Sequence, residues 1–250
     1  MSNPAVVTLM FHRVNESALG YCPQQFAKYL DYLVKHFPIV IPGQPLPKVP
    51  IAICLTFDDA YFDFYHHVYP LLQKHQIKAL LAVPTHYIAE STDLSPNVRL
   101  SVPYGHDMAN PEHLQKVPFC TWQELKEMAQ SNLVVMASHG CKHANLAKKA
   151  TDLTQEIIVS QDILQQHLNV PVRNFVYPYG CLTPRVHRTV RSHYDFGIRI
   201  GSALNLGWNH PQQFIYRINA DPLWTRMRPI GKFLVKKLTL KYWMNRLRLK

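Results

Sequence analysis

The 250-residue sequence has no CxxC pair, and its cysteines (Cys22, Cys54, Cys120, Cys141 and Cys181) are odd in number. This excludes a disulfide framework and a zinc knuckle and favours reduced thiols. No stretch approaches the ~20 consecutive apolar residues that span a bilayer. The opening residues, Met1 to Met10, lack the basic and long apolar regions of a signal peptide. These absences set the expectation of a cytoplasmic protein, at most peripheral at the inner face of a membrane. Low-complexity tracts and repeats are also missing. Acidic residues are missing from 226–250, a segment that holds nine Lys/Arg. The remaining residues carry 18 basic and 16 acidic groups, so the formal charge of +11 is mostly a C-terminal feature. A nucleic-acid surface spread over the whole chain is therefore excluded, and no nucleic-acid partner is expected.

What is present is an alternation of strand-like and helix-like segments. Val6–His12, Ile51–Thr56, Lys78–Pro84, Leu133–Ala137, Val172–Tyr177 and Phe196–Ile200 are apolar runs of strand length. Pro23–Phe37, 61–75, 121–128, Thr151–Leu168 and Pro184–His193 have helical character. In the first of these, Phe26, Leu30, Leu33 and Val34 share a face. Thr121 and Glu124 form a capping box, and Asp152 and Glu156 suit a helix N-terminus. Strands buried on both faces and separated by helices indicate a parallel α/β fold, and this number of strands suits a barrel. His86–Cys120 breaks the rhythm as a long proline-containing insertion, read as a substrate-side loop or lid. The predicted organisation is a catalytic domain over 1–225 and a basic segment over 226–250.

Parallel α/β folds place their sites at the C-terminal ends of the strands. Here those ends carry His12, the pair Asp58-Asp59, His139, and the turn Tyr177-Pro178-Tyr179-Gly180. Adjacent carboxylates repel unless a cation neutralises them. His139 and His143 have a spacing that lets two imidazoles converge on one ion. One Asp and two His leave a coordination position for water, as in open catalytic sites. The other Asp is free to take that water's proton. The donor set suits Zn2+, with Co2+, Ni2+ or Mn2+ as alternatives.

Three segments carry a family resemblance: Thr56-Phe57-Asp58-Asp59-Ala60, Ser138-His139-Gly140-Cys141-Lys142-His143-Ala144-Asn145-Leu146, and Phe175-Val176-Tyr177-Pro178-Tyr179-Gly180. In this order they resemble the motifs of the polysaccharide deacetylases, carbohydrate esterase family 4 with its NodB-like domain. The resemblance implies a distorted (β/α) barrel of about seven strands. It also implies metal-dependent removal of an N-acetyl group from an amino sugar. By it, Asp58 is the base, and Asp59, His139 and His143 are the metal ligands. The backbone N–H of Tyr179 donates to the oxyanion. Phe11-His12-Arg13-Val14 is similar to the opening motif of a subgroup in which the N-terminal His is the acid, so His12 takes that role. Many members tether the base through an Arg where this chain has Val176; nearby Arg173 is misplaced for that task.

The expected substrate is an N-acetylated glycan or a lipid-linked or lipopolysaccharide precursor. Deformylase, O-deacetylase or cyclic-amide hydrolase activity on the same ion, or an inactive glycan-binding module, are the alternatives. Cys141 reads as filler and Trp122 as packing rather than sugar platform. His66, His67, His106 and His113 read as surface or loop residues, the last two within possible reach of substrate. In the tail, Tyr242, Trp243, Leu247 and Leu249 interleave with Lys241, Arg246, Arg248 and Lys250. That mixture suits contact with an anionic membrane surface, but apolar residues cover most of the helical wheel and blur its amphipathic signal.

Overall fold

The computed structural model describes residues 4–16, 19–104, 107–208 and 214–248. Gly105, His106, Leu249 and Lys250 lie outside them. Seven parallel strands close into a barrel: β1 (Ala5–Phe11), β2 (Ile51–Phe57), β3 (Ala79–Val83), β4 (Val134–Ser138), β5 (Asn174–Val176), β6 (Phe196–Ile200) and β8 (Phe214–Asn219), which returns to β1. The short β7 (Asn205–Leu206) pairs antiparallel with β1. Flanking helices are α1 (Pro23–His36), α2 (Tyr69–His75), α5 (Trp122–Gln130), α6 (Ser160–Leu168) and α7 (Pro184–His193). Two short helices, α3 (Pro96–Leu100) and α4 (Pro111–Leu114), lie in the insertion. The chain ends in α8 (Asp221–Trp224) and α9 (Lys232–Arg248). This is the distorted (β/α) barrel that the sequence predicts.

Local chemistry accounts for the boundaries. Pro23 opens α1, where its missing N–H costs nothing, and Phe26, Leu30 and Leu33 bury as the periodicity requires. The capping box forms: Thr121 Oγ1 accepts from Glu124 N–H, and Glu124 Oε2 accepts from Thr121 N–H. The helix expected from Thr151 starts later, because Asp152 Oδ1 accepts the N–H groups of Thr154 and Gln155 and so sits at the cap. A π-helical turn, Thr154–Val159, then leads into α6.

Strand residues alternate between two apolar clusters, as the two-residue period of a strand dictates. Val7, Leu9, Ile53, Leu55, Leu81, Met136 and Phe175 face the helices. Val6, Ala52, Cys54, Leu80, Ala82, Ala137, Val176, Ile198 and Ile215 fill the barrel interior. Continuing that inward set along the strands leads through Thr8 and Thr56 to His12, Asp58, His139 and Arg217. Register brings the strand ends to one rim, with Phe11 opposite Phe57, Phe57 opposite Leu81, and Val83 opposite Ser138.

Arg99 and Arg13 anchor the 86–120 insertion. Arg99 is buried, pairs with Glu124 and donates to the carbonyls of Val117 and Phe119. Arg13 donates to Val102 O, and Glu16 accepts from Tyr104 N–H. The basic C-terminal segment packs on the barrel through Ile230, Leu238 and Tyr242. Among the described residues no helix is long and apolar enough to cross a membrane.

Candidate metal centre

Asp58 and Asp59 follow β2 directly, and Asp58 N–H extends the sheet by donating to Phe11 O. The chain then turns sharply, with Asp59 and Ala60 in the left-handed region (φ +71° and +51°). His143 and Tyr179 are left-handed as well (φ +54° and +56°). Non-glycine residues in this region are strained and persist only where the surroundings hold them. Here that strain accompanies the convergence of three loops.

The loop after β4 is held by a carboxylate that sequence reasoning gave a different task. Glu156, expected to favour a helix N-terminus, is buried and accepts N–H groups from Cys141, Lys142 and Ala144. Gly140 makes room for it: its φ is +81°, and a Cβ there would meet Glu156 Oε2 at 2.5 Å. His139 Nδ1 lies 2.8 Å from Val176 O. A carbonyl only accepts, so Nδ1 carries the proton and Nε2 presents its lone pair.

His139 Nε2 and His143 Nε2 lie 3.5 and 3.6 Å from Asp59 Oδ1, and the three donor atoms fall within 4.8 Å of one another. Asp59 Oδ1 is buried and has no hydrogen-bond partner. Burial holds the two imidazoles neutral, pulling His139 down to about 4 and His143 down to about 3. Burial, and then the charge of Asp58, push the Asp59 carboxyl well above its usual value. Neutral imidazoles, an orphaned carboxylate oxygen and tight convergence fit a divalent cation, which would return Asp59 to its ionised form. Asp59, His139 and His143 thus form a candidate metal site.

Asp58 lies beside this cluster, its Oδ2 3.9 Å from His139 Nε2, in a different environment. Arg217 donates to it bidentately, Nη1 to Oδ1 at 2.6 Å and Nη2 to Oδ2 at 2.8 Å. Burial pushes the Asp58 carboxyl up, but Arg217, with His139 and His12, more than offsets this and holds it well below the usual carboxylate range. Arg217 was missed from sequence. Its signal is one arginine within the apolar run Phe214-Ile215-Tyr216-Arg217-Ile218, since a buried guanidinium demands an anionic partner. Arg173 instead sits on the surface beside Asp195.

His12 Nε2 is 3.9 Å from Asp58 Oδ2, and its ring is 5.5 Å from that of Tyr104. The Tyr179 ring contacts His143 edge-on, with centroids 4.6 Å apart. A cavity of about 270 Å³ opens above Asp59 and His143 and is lined by Tyr179 and, from the insertion, by Tyr104, Asp107 and Met108. The insertion therefore walls the cavity. Trp122 is buried and stacks on His167, centroids 4.0 Å apart, as packing. Cys141, within the histidine loop, is buried.

A family model described as polysaccharide deacetylase matches residues 47–197. Over 126 residues the chain is 32% identical to the poly-beta-1,6-N-acetyl-D-glucosamine N-deacetylase of Escherichia coli strain K12, covering 50% of this chain and 17% of that protein. The chain thus spans less than a fifth of that relative's length. Its fold is similar to a polysaccharide deacetylase from Bacillus cereus, with a TM-score of 0.68, 18% identity, and coverage of 87% of this chain and 65% of that one. It is also similar to IcaB from Ammonifex degensii, with a TM-score of 0.66, 21% identity, and coverage of 91% and 97%. The barrel, the rim chemistry and the family match agree: the chain belongs to the polysaccharide deacetylase family.

Proposed function

We propose that the protein is a metal-dependent hydrolase that removes the N-acetyl group from an amino sugar in a glycan or lipid-linked glycan precursor. The observation that carries this reading is the pairing of two unlike carboxylates. Asp59, whose buried Oδ1 has no hydrogen-bond partner, converges with His139 and His143, while the adjacent Asp58 is kept ionised by Arg217. Asp59, His139 and His143 would hold the ion, Zn2+ being the best match to these donors, with Co2+, Ni2+ or Mn2+ as substitutes. Such an ion, when bound, supplies Lewis acidity to the acyl oxygen and makes a water more acidic.

The protein's own groups take the remaining tasks. Asp58 Oδ2 accepts the proton of the attacking water, its carboxylate fixed in place by the Arg217 fork. The backbone N–H of Tyr179, in its strained turn, donates to the oxygen on which charge develops. His12, whose Nε2 lies 3.9 Å from Asp58 Oδ2, protonates the leaving amine. Tyr104, Asp107 and Met108 narrow the cavity around the sugar.

Oligomers of β-1,6-linked N-acetylglucosamine are the first substrate to try, given the activity named for the Escherichia coli relative. Metal-loaded protein should release acetate and not formate from an amino-sugar glycan. Asp58→Asn should abolish release while leaving bound metal unchanged. Absence of any acid product from metal-loaded wild type across N-acetylated glycans would refute the reading.

A further inference from the structure

Helix α9 has two apolar faces. One, with Leu238 and Tyr242, packs on the barrel. The other points to solvent: Phe233 is 85% exposed, Leu240 63%, Trp243 49% and Leu247 68%. Phe233, Leu240 and Leu247 recur every seven residues, a spacing that drifts by only ~20° per step around a helix. They form one stripe, with Trp243 beside it. Lys232, Lys236, Lys237 and Lys241 border the stripe on both sides, and the Arg246 guanidinium lies 5.5 Å from the Trp243 ring centroid. No acidic residue occurs in 226–250. The weak amphipathic signal in the sequence has a simple origin: the inner and outer apolar faces oppose each other and cancel.

We propose that this outer face is a docking surface for an anionic lipid bilayer, on which α9 lies flat. Phe233, Leu240, Trp243 and Leu247 enter the interfacial layer, and the bordering lysines meet lipid phosphates. Charge complementarity selects this occupant: an apolar stripe alone would suit many partners, but one edged only by cations suits a surface that is both apolar and anionic. The helix is also attached near the mouth of the barrel. Asn245 Nδ2 donates to Gly201 O at 2.8 Å. Gly201 follows Ile200, and a Cβ on Gly180, beside Tyr179, would lie 3.4 Å from Ile200. The C-terminal end of α9 therefore lies near the rim that carries the candidate site. The inference concerns binding and does not depend on which acyl group is removed.

Trp243 supplies a selective reporter, because Trp122, Trp208 and Trp224 are buried. The 250-residue chain would be mixed with phosphatidylglycerol–phosphatidylcholine vesicles, and separately with phosphatidylcholine vesicles, in about 0.1 M salt. Co-sedimentation and a blue shift of tryptophan emission with the anionic vesicles only are expected. Phe233→Ser/Leu240→Ser and, separately, Lys236→Glu/Lys237→Glu should each weaken binding at least about tenfold, with circular dichroism and thermal midpoint unchanged. These positions are exposed, so the variants should fold. Three results would overturn the proposal: no binding by wild type, equal binding to neutral vesicles, or full binding by both variants. Self-association in sedimentation velocity that Phe233→Ser/Leu240→Ser abolishes would assign the face to a second copy and overturn it as well.

Discussion

The two ends of the barrel interior use the same strands in the same alternation, yet their chemistry is opposite. Toward the base, Val6, Ala52, Cys54 and Ile215 fill the space with small and branched apolar groups. Burial there pushes the Cys54 thiol up to about 12, so it acts as a small hydrophobe. Toward the rim, the inward positions hold Asp58, His139 and Arg217, all buried. The base is held by summed dispersion and hydrophobic burial, in which each methylene counts for little. The rim is held by paired charges, in which losing one member strands another. The same barrel thus tolerates change at one end and resists it at the other.

The sharpest way to test this contrast is to deprive the proposed site of its ion. Chelation, or Asp59→Ala, should reduce acetate release to background, and restoring Zn2+ should rescue the chelated wild type but not the variant. Metal analysis alongside a turnover assay reads both. Next in size is Arg217→Met. Leaving Asp58 buried without its partner should cost about 3–5 kcal/mol of stability in urea titrations. Without the guanidinium that holds the Asp58 carboxyl down, the acid limb of the pH–rate profile should also move to higher pH. An unchanged limb would disconnect Asp58 from the rate.

A smaller effect is expected from Glu156→Gln, which keeps the shape but removes the charge that gathers the N–H groups of the histidine loop. A loss of about 1.5–3 kcal/mol is expected, together with roughly tenfold weaker metal binding in competition with a chelator. The smallest belongs to the base. Ile215→Val should cost about 0.5–1.5 kcal/mol and leave turnover unchanged. A large loss of activity there would end the division of the barrel into two ends.

Much of the rim was legible in the sequence. Asp58, Asp59 and His139 each follow a buried apolar run, and strand ends of a parallel fold share one rim, so their meeting could be inferred from pattern alone. His143 followed from its spacing to His139. Six of the barrel strands were legible as well, displaced by one or two residues at their ends, where sheet pairing and not composition decides the boundary; β8, which carries Arg217, was not read. Arg217 was not read, and Glu156 was read only as a helix N-terminal residue. Each acts on a partner distant in sequence, with Asp58 lying 159 positions from Arg217, and no local period encodes such a pairing. The outer stripe of α9 was obscured for another reason: only knowledge of which face packs on the barrel separates used apolar surface from surplus.

The sequence by itself determined the parallel barrel, the residue types at its rim and the pair of carboxylates that call for a cation, because hydrophobic period and strand-end chemistry are local properties. Tertiary structure decided which carboxylate faces the histidines and which is held by arginine, what anchors the insertion over the cavity, and which face of the last helix remains exposed. Those outcomes depend on through-space distance in a buried, low-dielectric environment, where a few ångströms separate a paired charge from a stranded one.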